Sequence, residues 1–117
     1  MSVEADCRDR DQGRCVRHGG QLTRGSHCHH RKLAKQGGPD APHNRITLCP
    51  DCHEWCHRNR REARDNGWIV SPSADPAGVP VKYHANVLAM FGLAELATGG
   101  LVLLNDEYEV FPYAPAV

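Results

Sequence analysis

The chain has 117 residues, of which 6% are aromatic, and equal numbers of acidic and basic residues leave it without net charge. This length is typical of one domain near the lower limit at which a hydrophobic core suffices alone. No apolar run is long enough to span a membrane and no secretion signal opens the chain. We therefore expect a cytoplasmic protein with no membrane partner.

Cysteine and histidine are unusually frequent, with six and eight copies interleaved along the chain. The cysteines could form a disulfide framework, but metal ligation is favoured because no secretion signal accompanies them. Bound metal would also stabilise residues 1–65, which contain few large apolar side chains.

Charge is distributed unevenly. Residues 1–65 hold thirteen of the fourteen Lys and Arg and nine of the fourteen Asp and Glu, which gives +4 there and −4 in residues 66–117. A basic region that also holds most histidines fits a phosphate-backbone binder, although a merely solvated Arg-rich surface fits the charge equally well.

The elements follow in chain order. Residues 1–26 are polar and punctuated by glycine. A short strand ending near residues 29–31, a loop through 37–42 and a second strand at 45–48 come next. The pattern then predicts one helix from about residue 51 to 66, which Gly67 would end by adopting a left-handed conformation.

Residues 71–117 have a different character. Short strands are predicted near residues 79–84 and 101–104. Between them, the apolar side chains of residues 86–97 share one helical face, for which core packing is favoured over a partner surface. The members of this face are Val87, Leu88, Met90, Phe91, Ala94 and Ala97.

One divalent ion could be bound by histidines of the central region. His53 and His57 are four residues apart on the predicted helix, so both imidazoles project from one face. His29, on the strand expected to pack against that helix, is a third candidate ligand. Three protein ligands leave open positions, as a catalytic site requires. His30 would lie beside the ion and suits a general base.

Asn44 precedes the second predicted strand. Its side chain has both donor and acceptor atoms and could clamp the loop that follows His30, which would fix the His30 ring. An ordinary turn residue explains Asn44 equally well when it is considered alone.

A second metal site is predicted from two close ligand pairs, Cys15-x-x-His18 and Cys49-x-x-Cys52. Four such ligands specify a tetrahedral structural zinc with no open position. The zinc would fix the start of the predicted helix and tie the N-terminal segment to the second strand. Cys28 and Cys56 are expected to be small buried apolar residues. Cys7 is a conceivable substitute ligand, but it lies eight residues from Cys15 and makes no such pair. His27, His43 and His84 receive no role.

Residues 14–70 resemble the HNH endonucleases. The resemblance is closest to small zinc-knuckle HNH proteins of bacteriophages, and the core spacing is shared with colicin-type DNases. It rests on His29-His30-Arg31, on Asn44-Arg45-Ile46-Thr47-Leu48-Cys49 and on Cys52-His53-Glu54-Trp55-Cys56-His57. His18 departs from the family, which usually has cysteine there.

The resemblance implies an α+β fold with a small ββα-metal core in residues 1–70, stapled by the structural zinc. Residues 71–117 would be a C-terminal extension of short strands and one helix. His29, His53 and His57 would bind a catalytic Mg²⁺, Mn²⁺, Ni²⁺ or Zn²⁺, with His30 as the base and Asn44 as the middle residue of the motif. His27 is a rival for the first histidine but lies too far from Asn44.

The expected function is therefore hydrolysis of DNA phosphodiester bonds with low sequence specificity, by a phage protein located in the host cytoplasm. A non-catalytic zinc-ribbon nucleic-acid binder remains the alternative, and a large terminase subunit is a second candidate partner beside double-stranded DNA. The side chains expected to contact phosphates are Arg31, Lys32, Lys35, Arg58, Arg60, Arg61 and Arg64.

Overall fold

A short antiparallel hairpin followed by a helix lies at the centre of this computed structural model, which describes residues 2–93 and 100–113. Strand β1 (His27–His30) pairs with β2 (Arg45–Leu48), with His29 opposite Ile46. All four residues of β2 are buried. Helix α2 (Pro50–Arg58) begins almost directly after β2. Both predicted strands are confirmed, and β1 and α2 carry the histidines whose spacing was singled out in the sequence.

The single predicted helix over residues 51–66 is wrong in one respect, because the chain forms two helices there. Helix α2 ends before Asn59, and helix α3 spans Arg60–Asp65. Asn59 breaks the helix with φ −124° and ψ 56°. Its side-chain Nδ2 and its backbone N–H both donate to the Trp55 carbonyl oxygen. Such a local side-chain bond competes with the continuing helical ladder, which explains the break.

Gly67 ends α3 as predicted. It has φ +75°, and a Cβ at this position would lie 2.0 Å from the Pro80 carbonyl oxygen. Both the left-handed backbone and the close approach of residues 80–81 therefore require glycine here.

Helix α1 (Val3–Arg10) was not predicted. Ser2 caps it, since its hydroxyl accepts from the Ala5 N–H. The helix has no apolar stripe because the residues that it buries are Cys7 and Arg10. Periodicity of apolar residues therefore carries no signal for it.

A buried polar network attaches α1 to the hairpin. Asp11 accepts from both the N–H and the hydroxyl of Thr47, at 3.0 and 2.8 Å, and from the Tyr83 hydroxyl at 2.5 Å. Arg10 pairs with Asp11 and also donates to the Arg45 carbonyl oxygen. Each charged group is thus paired where burial would otherwise be costly.

The C-terminal segment forms a second sheet in the order β3-β4-β5. Strand β3 is only Val81–Lys82, shorter than predicted, because Pro80 lacks an N–H and His84 already caps helix α4 (Ala85–Met90). Strand β4 (Leu101–Leu104) is confirmed, and β5 (Val110–Pro112) was not predicted.

Core packing is confirmed for part of the apolar segment. Val87 and Leu88 are buried, whereas Met90 is 56% exposed. Helix α4 ends before Phe91, so the helical face is shorter than predicted. Ala94 and Ala97 lie outside the described residues.

One hydrophobic core joins the two segments. Val16, Ile46 and Leu48 share it with Tyr83 and Val102. The described residues therefore form an α+β fold with two small sheets and four α-helices around a common core. Among the helices of the described ranges, none is long and apolar enough to cross a membrane.

Candidate metal centres

Four Cys and His side chains converge at the start of α2. One ligand atom from each of Cys15, His18, Cys49 and Cys52 lies within 4.8 Å of the other three. The His18 Nδ1 atom is 3.4 Å from the Sγ atoms of both Cys49 and Cys52. A tetrahedral zinc with ordinary bond lengths requires edges of about 3.5 to 3.8 Å. The group could therefore hold a structural metal such as zinc.

Local structure explains why these four ligands meet. Cys49 is the N-cap of α2, and its Sγ accepts from the Cys52 N–H. The Cys15 segment is joined to β2 by the Val16 N–H, which donates to the Thr47 carbonyl oxygen. A Cβ at position 20 would lie 2.6 Å from Nε2 of His18, so a side chain there would displace the His18 ring.

A second group consists of His29, His53 and His57, whose ligand atoms also lie within 4.8 Å of one another. The Nε2 atoms of His53 and His57 are 3.3 Å apart, a separation that two nitrogens bound to one ion would have. The ring of His29 meets those of His53 and His57 edge-on, with centroids 5.1 and 5.8 Å apart. The three imidazoles thus surround one point between β1 and α2.

Burial, together with the neighbouring imidazoles, lowers the pKa of His29 to about 3 and that of His53 to about 4, so these two rings are neutral. His29 Nε2 lies 2.8 Å from the Trp68 carbonyl oxygen. A carbonyl only accepts, so Nε2 carries the proton and Nδ1 keeps the lone pair that a metal requires.

His30 follows the first ligand and lines the same small cleft as His29 and His57. The cleft has a volume of about 20 Å³, which accommodates a single water molecule. Arg60, at the start of α3, also lines it. A guanidinium, two candidate ligands and a candidate base therefore border one cavity.

Asp40 is a partner of His30 that sequence reasoning missed. Its Oδ1 atom is 3.1 Å from His30 Nε2, and the same oxygen accepts from Arg45 Nη1. The hydrogen bond from His30 and the positive charge of Arg45 lower the pKa of Asp40. The ten-residue separation gave no signal, because only the folding of the intervening loop brings the two side chains together.

Asn44 forms the clamp that was predicted. Its Oδ1 accepts from the Lys32 N–H at 2.8 Å, and its Nδ2 donates to the carbonyl oxygens of Lys32 and Pro39, both at 2.9 Å. The side chain is fully buried. Both ends of the loop after His30 are thus held against the start of β2.

The prediction that Arg31 contacts phosphate is wrong. The residue is 1% exposed, and its guanidinium donates to four backbone carbonyl oxygens, those of Gly67, His43, Pro76 and Val79. Because every donor group is directed into the protein, Arg31 is not free to contact phosphate. It instead holds separate loops together through their carbonyl oxygens.

The other predicted phosphate contacts differ in accessibility. Lys32 is half-buried and its ammonium donates to the Ala74 carbonyl oxygen. Arg58 is exposed and forms a surface ion pair with Glu54. The remaining four, all exposed, are Lys35, Arg60, Arg61 and Arg64.

His27, His43 and His84 are not members of the three-histidine group, although His27 contacts it. His27 stacks on His53 with centroids 4.1 Å apart, so the rival for the first position is a neighbour of the group. His43 pairs with Asp106 at 2.6 Å, and His84 caps α4.

The structure also shows the surroundings of the cysteines that lie outside the Cys/His group. Cys56 is fully buried in the core, as predicted, and Cys7 is fully buried as well. Cys28 is only half-buried and accepts from Arg45 Nε at 3.2 Å, so it is not the simple apolar residue that was expected.

No protein-family model, curated protein or solved structure matches this chain. The chemistry of the donors distinguishes the two groups. Three cysteines and one histidine would saturate a tetrahedral ion, whereas three imidazoles leave coordination positions open for water or substrate.

Proposed function

We propose that the protein is a metal-dependent endonuclease that hydrolyses DNA phosphodiester bonds, of the HNH type with a ββα-metal core. The observation that carries the proposal is the shared cleft of His29, His57 and His30. A three-histidine ligand set with open positions next to a histidine base is what metal-assisted phosphodiester hydrolysis requires.

Each of the two metal centres would have a separate role. His29, His53 and His57 would hold a divalent ion, Mg²⁺, Mn²⁺, Ni²⁺ or Zn²⁺. When bound, the ion would offset the negative charge that develops on the scissile phosphate. A separate zinc at Cys15, His18, Cys49 and Cys52 would stabilise the start of α2.

His30 would act as the general base. Its Nε2–H donates to Asp40, so Nδ1 has the free lone pair. This atom would take a proton from a water molecule as the water oxygen bonds to phosphorus and the bond from phosphorus to the 3′-oxygen breaks. The departing 3′-oxygen would be protonated from solvent, which leaves a 5′-phosphate.

Substrate binding would depend on exposed cations of α2 and α3. Arg58, Arg61 and Arg64 are exposed, and Arg60 borders the cleft. Such contacts position the phosphate backbone without reading bases, which supports low sequence specificity. Lys35 extends this basic surface along the loop after β1.

The test is cleavage of supercoiled plasmid by zinc-loaded protein, with each divalent ion in turn and with a chelator. We expect cleavage only with an added ion and at least a hundredfold loss in His30→Ala, with zinc content and DNA affinity retained. His84→Asn is the matched control, because asparagine also caps helices and His84 lies outside the cleft. Cleavage by His30→Ala near the wild-type rate would contradict the base assignment.

A zinc-ribbon nucleic-acid binder is the alternative outcome of the same assay. It needs the Cys/His group alone and has no use for three further histidines or for His30. DNA binding without cleavage under every ion would support the binder and exclude the nuclease.

We also propose a large terminase subunit as a partner, on the resemblance to phage proteins. Met90 and Phe111, 56% and 44% exposed, are the large apolar side chains that the described C-terminal segment presents to solvent. A pull-down with a terminase subunit should weaken with Met90→Glu or Phe111→Glu, and capture unaffected by either would exclude this surface.

A further inference from the structure

Arg17 contacts a ligand of the first candidate metal centre and belongs to neither ligand set. Its guanidinium carbon is 3.7 Å from the ring centroid of Trp55 and 5.5 Å from that of Trp68. Its Nη1 atom donates to the Sγ of Cys52 at 3.3 Å. Its Nε is buried without a hydrogen-bond partner among the described residues. The contacts with the two tryptophan rings and with the Cys52 sulfur atom therefore hold the guanidinium in position.

The hydrogen bond from Arg17 to Cys52 affects the charge of the Cys/His group. Three thiolates, a neutral imidazole and a zinc ion together carry one negative charge. The three cysteines are nearly or fully buried, so water does little to stabilise that charge. The permanently positive guanidinium of Arg17 balances it, and the N–H···S bond places the balancing charge on Cys52.

The second set of contacts leads to the histidine group. Trp55 and Trp68 meet edge to face with centroids 6.0 Å apart, and both lie against the Arg17 guanidinium. The Trp68 indole N–H donates to the Lys82 carbonyl oxygen, and the Trp68 carbonyl oxygen accepts from His29 Nε2. The residue that the guanidinium contacts is therefore also the one that orients the His29 ring.

We propose that Arg17 is a positioning residue that couples the two metal centres. Its hydrogen bond to Cys52 stabilises zinc at the Cys/His group. Its stacking on Trp55 and Trp68 holds the Trp68 carbonyl in place, which keeps His29 aligned for the second ion. The partners of metal ligands typically change metal affinity about 10- to 100-fold when they are removed. Because binding energies are reciprocal, zinc at the first centre favours an ion at the second.

The experiment measures metal binding, without DNA, in wild type, Arg17→Met, Arg17→Lys and Arg14→Met. Methionine keeps the apolar contact and removes the charge, and lysine keeps the charge without the planar stack. Arg14→Met is the matched control for the loss of an arginine, because the Arg14 guanidinium donates to a backbone carbonyl oxygen, that of Gly19, and the arginine that contacts sulfur and tryptophan here is Arg17. Zinc affinity is measured by chelator competition, and Ni²⁺ affinity of the histidine group by calorimetry on zinc-loaded protein.

We expect Arg17→Met to weaken zinc binding at least tenfold and Ni²⁺ binding several-fold, with Arg14→Met unchanged. In cobalt-substituted protein, loss of the N–H···S bond should shift the thiolate-to-cobalt absorption band, which general destabilisation would not do. Arg17→Lys should recover most of the zinc affinity and little of the Ni²⁺ affinity.

Two results would overturn the proposal. If zinc affinity and the cobalt spectrum of Arg17→Met equal those of Arg14→Met, Arg17 has no part in the first centre. If zinc binding weakens while Ni²⁺ binding is unchanged, the centres are not coupled. Should Arg17→Met fail to fold, the Ni²⁺ arm of Arg17→Lys decides. The inference rests on the two proposed metal centres but survives if the protein binds both ions and does not cleave DNA.

Discussion

The Asp40 carboxylate lies 3.1 Å from Nε2 of His30, at the far end of the loop that separates β1 from β2. A carboxylate accepts hydrogen bonds, so the pair assigns the His30 proton to Nε2 and leaves Nδ1 available as a base. Asp40 is 74% exposed, and its contact with Arg45 anchors it to β2. The exposed carboxylate of Asp40 therefore orients the His30 ring.

Replacing Asp40 with alanine should slow plasmid cleavage on the order of tenfold, because His30 loses the partner that fixes its tautomer and orientation. DNA affinity and zinc content should stay unchanged. Asp9→Ala, an exposed carboxylate on α1, serves as the control. Equal rates for the two variants would show that Asp40 does not orient the base.

Loss of the structural metal should destabilise the fold as a whole, because residues of both segments share one core. Cys52→Ser removes one of four ligands, so we expect zinc to be lost on dialysis against a weak chelator and cooperative thermal unfolding to disappear. Cys56→Ala changes a buried cysteine outside the group and should retain about one zinc. Circular dichroism and elemental analysis measure both effects. A Cys52→Ser protein with full zinc and unchanged stability would contradict the structural site.

Substitution of two different arginines should distinguish a role in folding from a role in DNA binding. Arg31→Met leaves four carbonyl oxygens without their donor and should lower the free energy of unfolding by about 2–4 kcal/mol. Arg61→Gln, on the exposed side of α3, should leave stability unchanged and weaken DNA binding. It should also reduce the salt dependence of binding by about one phosphate contact. Urea unfolding measures the stability of each variant, and salt titrations measure its DNA binding. The opposite pattern, with stability lost in Arg61→Gln and only DNA binding weakened in Arg31→Met, would contradict these assignments.

Alkaline pH should destabilise the fold through Tyr83. Burial raises the pKa of Tyr83 well above its usual value of 10.0, and Asp11 raises it further against the charge of Arg10. The unfolded chain releases this proton near pH 10 whereas the folded chain retains it, so stability falls as pH rises above about 10.

Absorbance at 295 nm tests this assignment. Of the three tyrosines in the chain, Tyr83 should not ionise in folded protein at pH 11, so Tyr83→Phe should leave the native signal unchanged. In urea, the same substitution should remove about a third of the signal. A smaller native signal in the variant would mean that Tyr83 titrates while folded.

The parts of the fold that the sequence predicted are those with a strong local pattern. The strand at Arg45–Leu48, with its β-branched Ile46 and Thr47, and the helix end at Gly67 have such patterns, whereas the strand at His27–His30 contains no apolar run. The grouping of His53 with His57 follows from helical spacing. These features depend on neighbours within a few residues.

The features that were missed depend on distant partners. Arg31 resembles any surface cation in the sequence, and only the four carbonyl oxygens around it make it a core residue. The same holds for the pairing of Asp11 with Thr47 and for that of Asp40 with His30. The break at Asn59 arises because one side chain competes with a helix that its neighbours favour.

The common core also determines where this chain can be divided. A fragment ending at residue 70 would deprive the Trp68 indole of its acceptor at Lys82 and Asp11 of the Tyr83 hydroxyl. It would expose Ile46, which packs in the same cluster as Tyr83 and Val102. Grafting the histidine centre onto another protein therefore requires carrying the second sheet with it, as a scaffold whose removal would dismantle the ligand geometry.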